Sequence, residues 1–186
     1  AVAAVAVNPS IAIPGRLLLM NASGRAVQTY YLSGDSAHRT YVPLNVCGDA
    51  DLSPDGTQYV YSTIWDAEDG IHVCRADGTG DRIIAPRGCN PKWSPDGKRV
   101  VFAAVTPPGE AKENGGCRPT EIFVVNADGA GLTQVSRSPE PDYRASWSPD
   151  GRYLAWLRRS AVATGVMQVP IVGDAEGGEA HALVGD

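Results

Sequence analysis

Trp93-Ser94-Pro95-Asp96-Gly97, followed at once by the apolar run Arg99-Val100-Val101-Phe102, is the stretch whose reading decides how this chain folds. Proline holds φ near about −65° at the second position of a turn, aspartate hydrogen-bonds nearby backbone, and glycine accepts φ > 0. Ser-Pro-Asp-Gly between two apolar segments is therefore a reverse turn that passes one strand to the next. A single such turn is weak evidence of architecture. Here it recurs as Leu52-Ser53-Pro54-Asp55-Gly56 and as Trp147-Ser148-Pro149-Asp150-Gly151. Each copy also leads into an apolar strand, Tyr59-Val60-Tyr61 in one and Tyr153-Leu154-Ala155-Trp156 in the other.

Working outward, each unit supplies two further strands. The next is Ile71-His72-Val73, Ile122-Phe123-Val124-Val125 or Val166-Met167-Gln168-Val169. The last is Arg82-Ile83-Ile84, Leu132-Thr133-Gln134-Val135 or Ala180-His181-Ala182-Leu183. Two units share a second turn, Arg75-Ala76-Asp77-Gly78 and Asn126-Ala127-Asp128-Gly129. Ser53 to Ser94 spans 41 residues and Ser94 to Ser148 spans 54. Ser53 to Ile71 and Ser148 to Val166 are both 18, whereas Ser94 to Ile122 is 28, which assigns ten inserted residues to the loop from Thr106 to Thr120. Insertions confined to the loops of a constant strand frame are what repeat units tolerate. A degenerate fourth unit is read at the start. Pro14-Gly15-Arg16-Leu17-Leu18-Leu19-Met20 parallels Asp150 to Trp156, with Val5–Ile13 as inner strand and Val27–Leu32 and Arg39–Leu44 as outer strands. The expected organisation is a single all-β domain of about four four-stranded antiparallel blades, at 1–45 (degenerate), 46–87, 88–141 and 142–186.

Composition agrees with many short strands and tight turns. Gly 21 and Pro 14 make about a fifth of the 186 residues, and Val, Ile, Leu and Ala are plentiful. A net charge of −5 with scattered basic residues argues against a nucleic-acid partner. No run approaches the roughly 18 apolar residues of a membrane helix. The small apolar start, Ala1 to Val7, reads either as the tail of a removed anchor or signal segment or as a first strand. No basic region precedes it, so an intact signal peptide is not expected.

These units resemble the TolB-type β-propeller repeat, a relative of the WD repeat, whose blades read Trp-Ser-Pro-Asp-Gly, then a strand and an Asp-Gly turn. The resemblance covers 46–184 well and 1–45 loosely, and it implies four-stranded blades set radially around a channel. There are departures. Leu52 stands where the family has Trp, the first turn lacks Ser and Asp, and the familiar architecture has six blades where four are counted here. Four blades would form a whole small ring, half of a dimeric ring, or part of a larger propeller. Blades at the ends of an open arc would expose residues such as Leu17, Leu19, Leu154 and Trp156.

In such a propeller the first strand of each blade lines the channel, and the segment leading into it lies at one mouth. Asp49, Asn90 and Arg144 are equivalent there, as are Asp51, Lys92 and Ser146, with Tyr143 beside them. A constant frame carrying varied mouth residues suits a protein partner or small ligand. The competing reading is a solvated channel with incidental charges. Four cysteines (Cys47, Cys74, Cys89, Cys117) without a Cys-x-x-Cys pair, and three dispersed histidines, do not make a zinc site. They fit two disulfides in an oxidising compartment, or four reduced thiols. Strand alternation favours Cys89 with Cys117. The Ala-Asp-Gly turns offer one carboxylate each, far short of a calcium loop. Trp93, Trp147 and Trp156 are expected to pack between blades. Asn21-Ala22-Ser23 matches a glycosylation sequon on an expected turn. No nucleophile elbow, His-Glu-x-x-His or phosphate loop is present, so neither a catalytic residue nor a cofactor is expected. The resulting expectation is a non-catalytic, extracytoplasmic binding or sensing module, with an anchor outside this stretch and pairing through terminal blades as options. The alternatives are the gating propeller of a prolyl-oligopeptidase-like enzyme, and a carbohydrate-active propeller using Asp49 and Asp51.

Overall fold

A computed structural model of the chain describes residues 16–20, 27–31, 39–42, 49–63, 70–86, 88–105, 121–162 and 165–183, with side chains from residue 49 onward except 161–166. Every regular element among them is a β-strand. Blade 1 contributes β1 (Arg16–Met20), β2 (Val27–Tyr31) and β3 (Arg39–Val42). Its expected inner strand, Val5–Ile13, lies outside the described residues, as does the sequon at Asn21. Blade 2 comprises β4 (Ala50–Leu52), β5 (Gln58–Ser62), β6 (Gly70–Arg75) and β7 (Arg82–Pro86). Blade 3 comprises β8 (Cys89–Trp93), β9 (Arg99–Ala104), β10 (Glu121–Asn126) and β11 (Thr133–Gln134). Blade 4 comprises β12 (Asp142–Trp147), β13 (Tyr153–Val162), β14 (Gly165–Asp174) and β15 (Ala180–Ala182). In all of them the strands pair antiparallel in chain order. The first strands lie side by side, β8 against β4 and β12 against β8, as radial blades require.

The Ser-Pro-Asp-Gly turn is one hydrogen-bonded object made three times. The hydroxyls of Ser53, Ser94 and Ser148 each donate to the aspartate two residues on, at 2.6 Å. The same oxygens accept the backbone N–H of Gln58, Arg99 and Tyr153 at 3.0, 2.9 and 2.9 Å. The aspartates in turn accept the amides of Thr57, Lys98 and Arg152 at 3.0 to 3.1 Å. Gly56, Gly97 and Gly151 close the turn at φ of 71°, 70° and 70°, which a side chain would strain. The turns also stack from blade to blade, because a Cβ on Gly97 would sit 3.7 Å from Pro54 and one on Gly151 3.7 Å from Pro95.

The second turn recurs three times rather than two. Asp174-Ala175-Glu176-Gly177 takes the place of Arg75-Ala76-Asp77-Gly78, and Gly78, Gly129 and Gly177 have φ of 84°, 92° and 88°. This corrects the alignment of the last blade. Tyr153 pairs with Asp174, as Gln58 pairs with Arg75 and Arg99 with Asn126, so Pro170 rather than Val166 is the counterpart of Ile71 and Ile122. The equal spacings of 18 residues arise because the β13–β14 hairpin is prolonged by paired residues beyond the frame of the other blades. Asp128 and Glu176 then differ at the third turn position, and that substitution hid the match.

Apolar side chains fill the spaces between blades. Val60, Ile71, Val73 and Ile84 of blade 2 meet Trp93, Val100, Phe102, Phe123 and Val125 of blade 3. On the opposite face of blade 3, Val101, Ala103, Ile122, Val124 and Val135 meet Leu154, Trp156 and Ile171 of blade 4. Leu154 and Trp156 are thus only 0% and 2% exposed, contrary to the expectation that they lie on an open terminal face. By alternation they point back to blade 3, and their neighbours point outward. Leu17 and Leu19 have no described side chains. The expected inter-blade roles of Trp93, Trp147 and Trp156 hold, and the Trp147 indole also donates to the Lys92 carbonyl at 3.2 Å.

The Ser94 hydroxyl, first among the causes, holds Asp96 below its ordinary carboxyl range. A depressed folded-state pKa means stability present above the unfolded value of 3.8 and lost as pH falls through the folded one. Ser94→Ala is expected to lower unfolding free energy by about 1–2 kcal/mol in urea titrations. It should also raise the Asp96 carboxyl titration, read by NMR, toward 3.8. An Asp96 titration that the substitution leaves untouched contradicts the shared clasp.

Candidate functional site

The candidate site comprises Asp49, just before β4, and Asp51, Asn90, Lys92, Tyr143 and Arg144, which lie within the first strands rather than in the segments leading into them, and a bulge sets the geometry of Asn90 and Arg144. Register slips between Cys89 and Lys92 in blade 3 and between Tyr143 and Ser146 in blade 4. At these two equivalent places Asn90 and Arg144 take φ of 53° and 55°, the only non-glycine residues with positive φ among those described. The left-handed region costs a residue with a Cβ roughly 1–2 kcal/mol, and a bulge re-aims the side chain it carries. The equivalence of Asn90 and Arg144 read from the repeat is therefore real in the backbone. Asp49, their counterpart in blade 2, stands just before β4 without that left-handed turn.

The structure joins four of the six expected residues in two inter-blade pairs. The Asn90 side-chain amide donates to Asp49 Oδ2 at 2.6 Å. Lys92 Nζ lies 3.4 Å from Asp51 Oδ1, while the other Asp51 oxygen accepts the Trp93 amide at 2.9 Å. Asp51 is thus committed to holding blade 3 against blade 2, and the charge of Lys92 is offset. Arg144 is exposed and has no carboxylate partner among the described residues. Tyr143 is half-buried next to it.

Beneath Arg144 lies an ionic clamp that the repeat pattern did not reveal. Asp142 is wholly buried and takes both Arg158 Nε (2.8 Å) and Nη2 (2.9 Å). The Asp142 hydrogen bond, first among the causes, pushes the Arg158 guanidinium further up, so it stays charged. Ser160 donates to Glu140 at 2.8 Å, and the Arg159 amide donates to the Pro141 carbonyl at 2.8 Å. The prolonged β13 therefore grips the segment Glu140–Asp142 that presents Arg144. Close by, the Ser136 hydroxyl donates to buried Glu121 at 2.7 Å and the Ser138 amide to the same carboxylate at 2.9 Å. No signal in the repeat marks Asp142, because its counterparts are Cys47 and Gly88. The Asp142–Arg158 pairing follows only from register.

A second polar chain lies within blade 2. His72 Nδ1 is 3.2 Å from Asp81, its Nε2 is 3.3 Å from Thr63 Oγ1, and the Tyr61 hydroxyl donates to Asp81 at 2.7 Å. Burial, and then the bond to Asp81, pushes the Tyr61 phenol well above its ordinary value. Thr63 Oγ1 also accepts the Gly70 amide at 3.1 Å. With Thr63 and His72 both buried, this chain ties β5, β6 and the start of β7 together, leaving the Asp81 carboxylate partly exposed. Cys74, on the same side of the sheet, is a buried free thiol that desolvation first of all pushes up to about 11. Cys89 is buried between blades 3 and 4, and Cys47 and Cys117 lie outside the described residues. Among the described residues no group of His, Cys, Asp or Glu could hold a metal ion, and no helix is long and apolar enough to cross a membrane.

Antiparallel up-and-down blades with adjoining first strands define a β-propeller. In sequence the repeats are similar to those of TolB proteins. No family model matches the chain. It is 44% identical over 46 residues to the Tol-Pal system protein TolB of Mannheimia succiniciproducens, across 25% of this chain and 11% of that protein. It is 38% identical over 64 residues to dipeptidyl-peptidase 5 of Porphyromonas gingivalis, across 34% of this chain and 9% of that one. The crystal structure of TolB from Acinetobacter baumannii superposes on 91% of this chain with a TM-score of 0.58 and 14% identity, which shows the fold. The chain spans 43% of that structure, and its matches span about a tenth of the curated relatives.

Arg158→Leu strips a buried carboxylate of its cation and is expected to cost about 3 kcal/mol of stability by denaturant unfolding. Adding Asp142→Asn should recover a large part of that loss. Additive losses in the double variant contradict the clamp.

Proposed function

We propose that the chain is a non-catalytic, extracytoplasmic binding module that takes an acidic stretch of a protein partner at the channel mouth. The observation that carries this reading is Arg144, an exposed cation held in a strained left-handed bulge two residues from the buried Asp142–Arg158 pair. Backbone strain persists where the surrounding structure over-determines it and is concentrated at sites of function. Lys92 and Arg144 are the two cations among the expected mouth residues. Arg144 is favoured over Lys92 because Lys92 lies 3.4 Å from Asp51, whereas Arg144 is exposed with no carboxylate partner among the described residues. Asp49 and Asn90 form the neighbouring polar wall, and Tyr143 adds an aromatic edge. Likeness to TolB supports a protein-binding propeller and a location outside the cytoplasm. A Cys89–Cys117 bond stapling the inserted loop belongs to the same reading.

A second reading is favoured by one finding, the match to dipeptidyl-peptidase 5: these blades would be the gating propeller of a peptidase whose chemistry lies in another domain. A sugar-active propeller using Asp49 and Asp51 fits less well, since both carboxylates are spent on inter-blade hydrogen bonds.

Fluorescence anisotropy with labelled twelve-residue peptides graded from basic to acidic tests the main reading. Acidic peptides should bind more tightly as salt is lowered. Arg144→Gln should weaken them about tenfold, equivalent to about 1.4 kcal/mol, and Lys92→Gln by less, with melting nearly unchanged. Equal affinity for basic and acidic peptides, or an Arg144→Gln variant that binds as well as the parent, overturns it.

A further inference from the structure

Over the junction between blades 3 and 4, at the mouth end, this chain departs from its own repeat. β13 and β14 stay paired through Val162 and Gly165, four pairs beyond Arg158–Val169, which is the counterpart of the last pair in blade 3, Ala104–Glu121. The connection from β11 to β12 takes residues 135–141, where β7 passes to β8 through residues 87 and 88 alone. Glu121 follows the ten residues inserted between Thr106 and Thr120. Insertions into repeat units gather on one face, often the binding face. Blades 3 and 4 flank this surface from both sides, so it is not an edge of the stack.

These departures are bonded to one another. Glu121 accepts the Ser136 hydroxyl at 2.7 Å and the Ser138 amide at 2.9 Å, Glu140 accepts the Ser160 hydroxyl at 2.8 Å, and Asp142 holds Arg158. Connection and ribbon are therefore ordered before any partner arrives, which lowers the entropy lost on binding. The same bonds engage the acids of this corner, with Glu121 and Asp142 buried, and leave cations at its surface. Arg137, between the two residues that Glu121 holds, and Arg144 are both exposed, and neither has a carboxylate partner among the described residues. Met167 pairs with Ser160, so it lies on the same face of the ribbon, and it is 47% exposed. We propose that an acidic segment of the partner docks on this corner, its carboxylates taken by Arg137 and Arg144 and an apolar side chain laid on Met167. The inference rests on the mouth reading above and narrows it to a segment that carries both acidic and apolar residues. Guanidinium groups take carboxylates through paired N–H···O bonds, and the methionine thioether adapts to the shape of an apolar neighbour. Over blades 2 and 3 the connection is short and Lys92 is offset by Asp51, so that junction offers no such corner.

Labelled peptides of glutamate and serine, with and without a central leucine, test the corner by fluorescence anisotropy on the whole chain. Arg137→Gln should weaken both peptides about fivefold, the size of an exposed ion pair. Met167→Ser should weaken the leucine peptide alone, by about threefold, and so remove its advantage. Arg82→Gln, at an exposed arginine at the start of β7, should leave both affinities unchanged. All three side chains are exposed, so melting should hold. Hydrogen exchange with the leucine peptide bound should slow the amides of Arg137, Ser138 and Met167 and leave those of Arg82 and Ile83 as they were. Either Arg137→Gln or Met167→Ser binding the leucine peptide as well as the parent does overturns the corner, as does protection confined to β4 and β8. The mouth reading survives that result if Arg144→Gln still weakens the peptides, and falls with it otherwise.

Discussion

A β-sheet that is apolar on both faces cannot stand in water by itself, and that constraint governs this molecule. The central strands β5, β6, β9 and β10 leave almost no residue accessible. A blade of this kind gains its stability only when sheets cover it on either side, because the hydrophobic contribution scales with the apolar area removed from water. The small sheets supply too little core individually, and stacking merges them into clusters that cross blade boundaries. Trp93 and Trp156 belong to these shared cores more than to their own sheets. Blade identity is therefore a matter of hydrogen bonding, while blade stability is a matter of neighbours.

The polar repeat does a different task. Serine, aspartate and glycine of the first turn satisfy one another and the backbone in the same way three times, so every β-strand that follows starts from the same position and angle. Constant starting geometry is what allows Val60 to meet Val100 and Val101 to meet Leu154 in one pattern. The opposite end of each blade is held by contacts that differ from blade to blade, Asp49 with Asn90, Asp51 with the Trp93 amide and Asp142 with Arg158. Asp49, Asn90 and Arg144 share a place in the frame and differ in charge.

Much of this was legible in the sequence because the turns are local. Ser-Pro-Asp-Gly folds by its own chemistry, and three copies in frame reveal the strands between them. The equivalence of Asn90 and Arg144 was legible for the same reason, by counting back from the turn. Features set by long-range register were not. The shift of the last hairpin is masked in the sequence, because Glu176 replaces the aspartate of the turn and Val166 falls at the same spacing as Ile71. The direction in which Leu154 and Trp156 point depends on which neighbouring sheet exists to receive them. The Asp142–Arg158 clamp joins residues with no counterpart in the other blades, so no repeat could announce it. Pairing of Lys92 with Asp51, which leaves Arg144 as the available cation, is a contact between blades and follows only from their packing.

Residue-resolved hydrogen exchange under native conditions tests the central claim most directly, since it reads the stability of each sheet from its own amides. If blades are stable through their neighbours, the amides of Val100, Phe102 and Val124, sandwiched between two sheets, should be the slowest in the molecule. Those of β13 and β14, covered on one face, should exchange appreciably faster, and added denaturant should bring blades 2 and 3 into a single opening event. Blades that open independently of one another, or a blade 4 protected as well as blade 3 in the monomer, would contradict it.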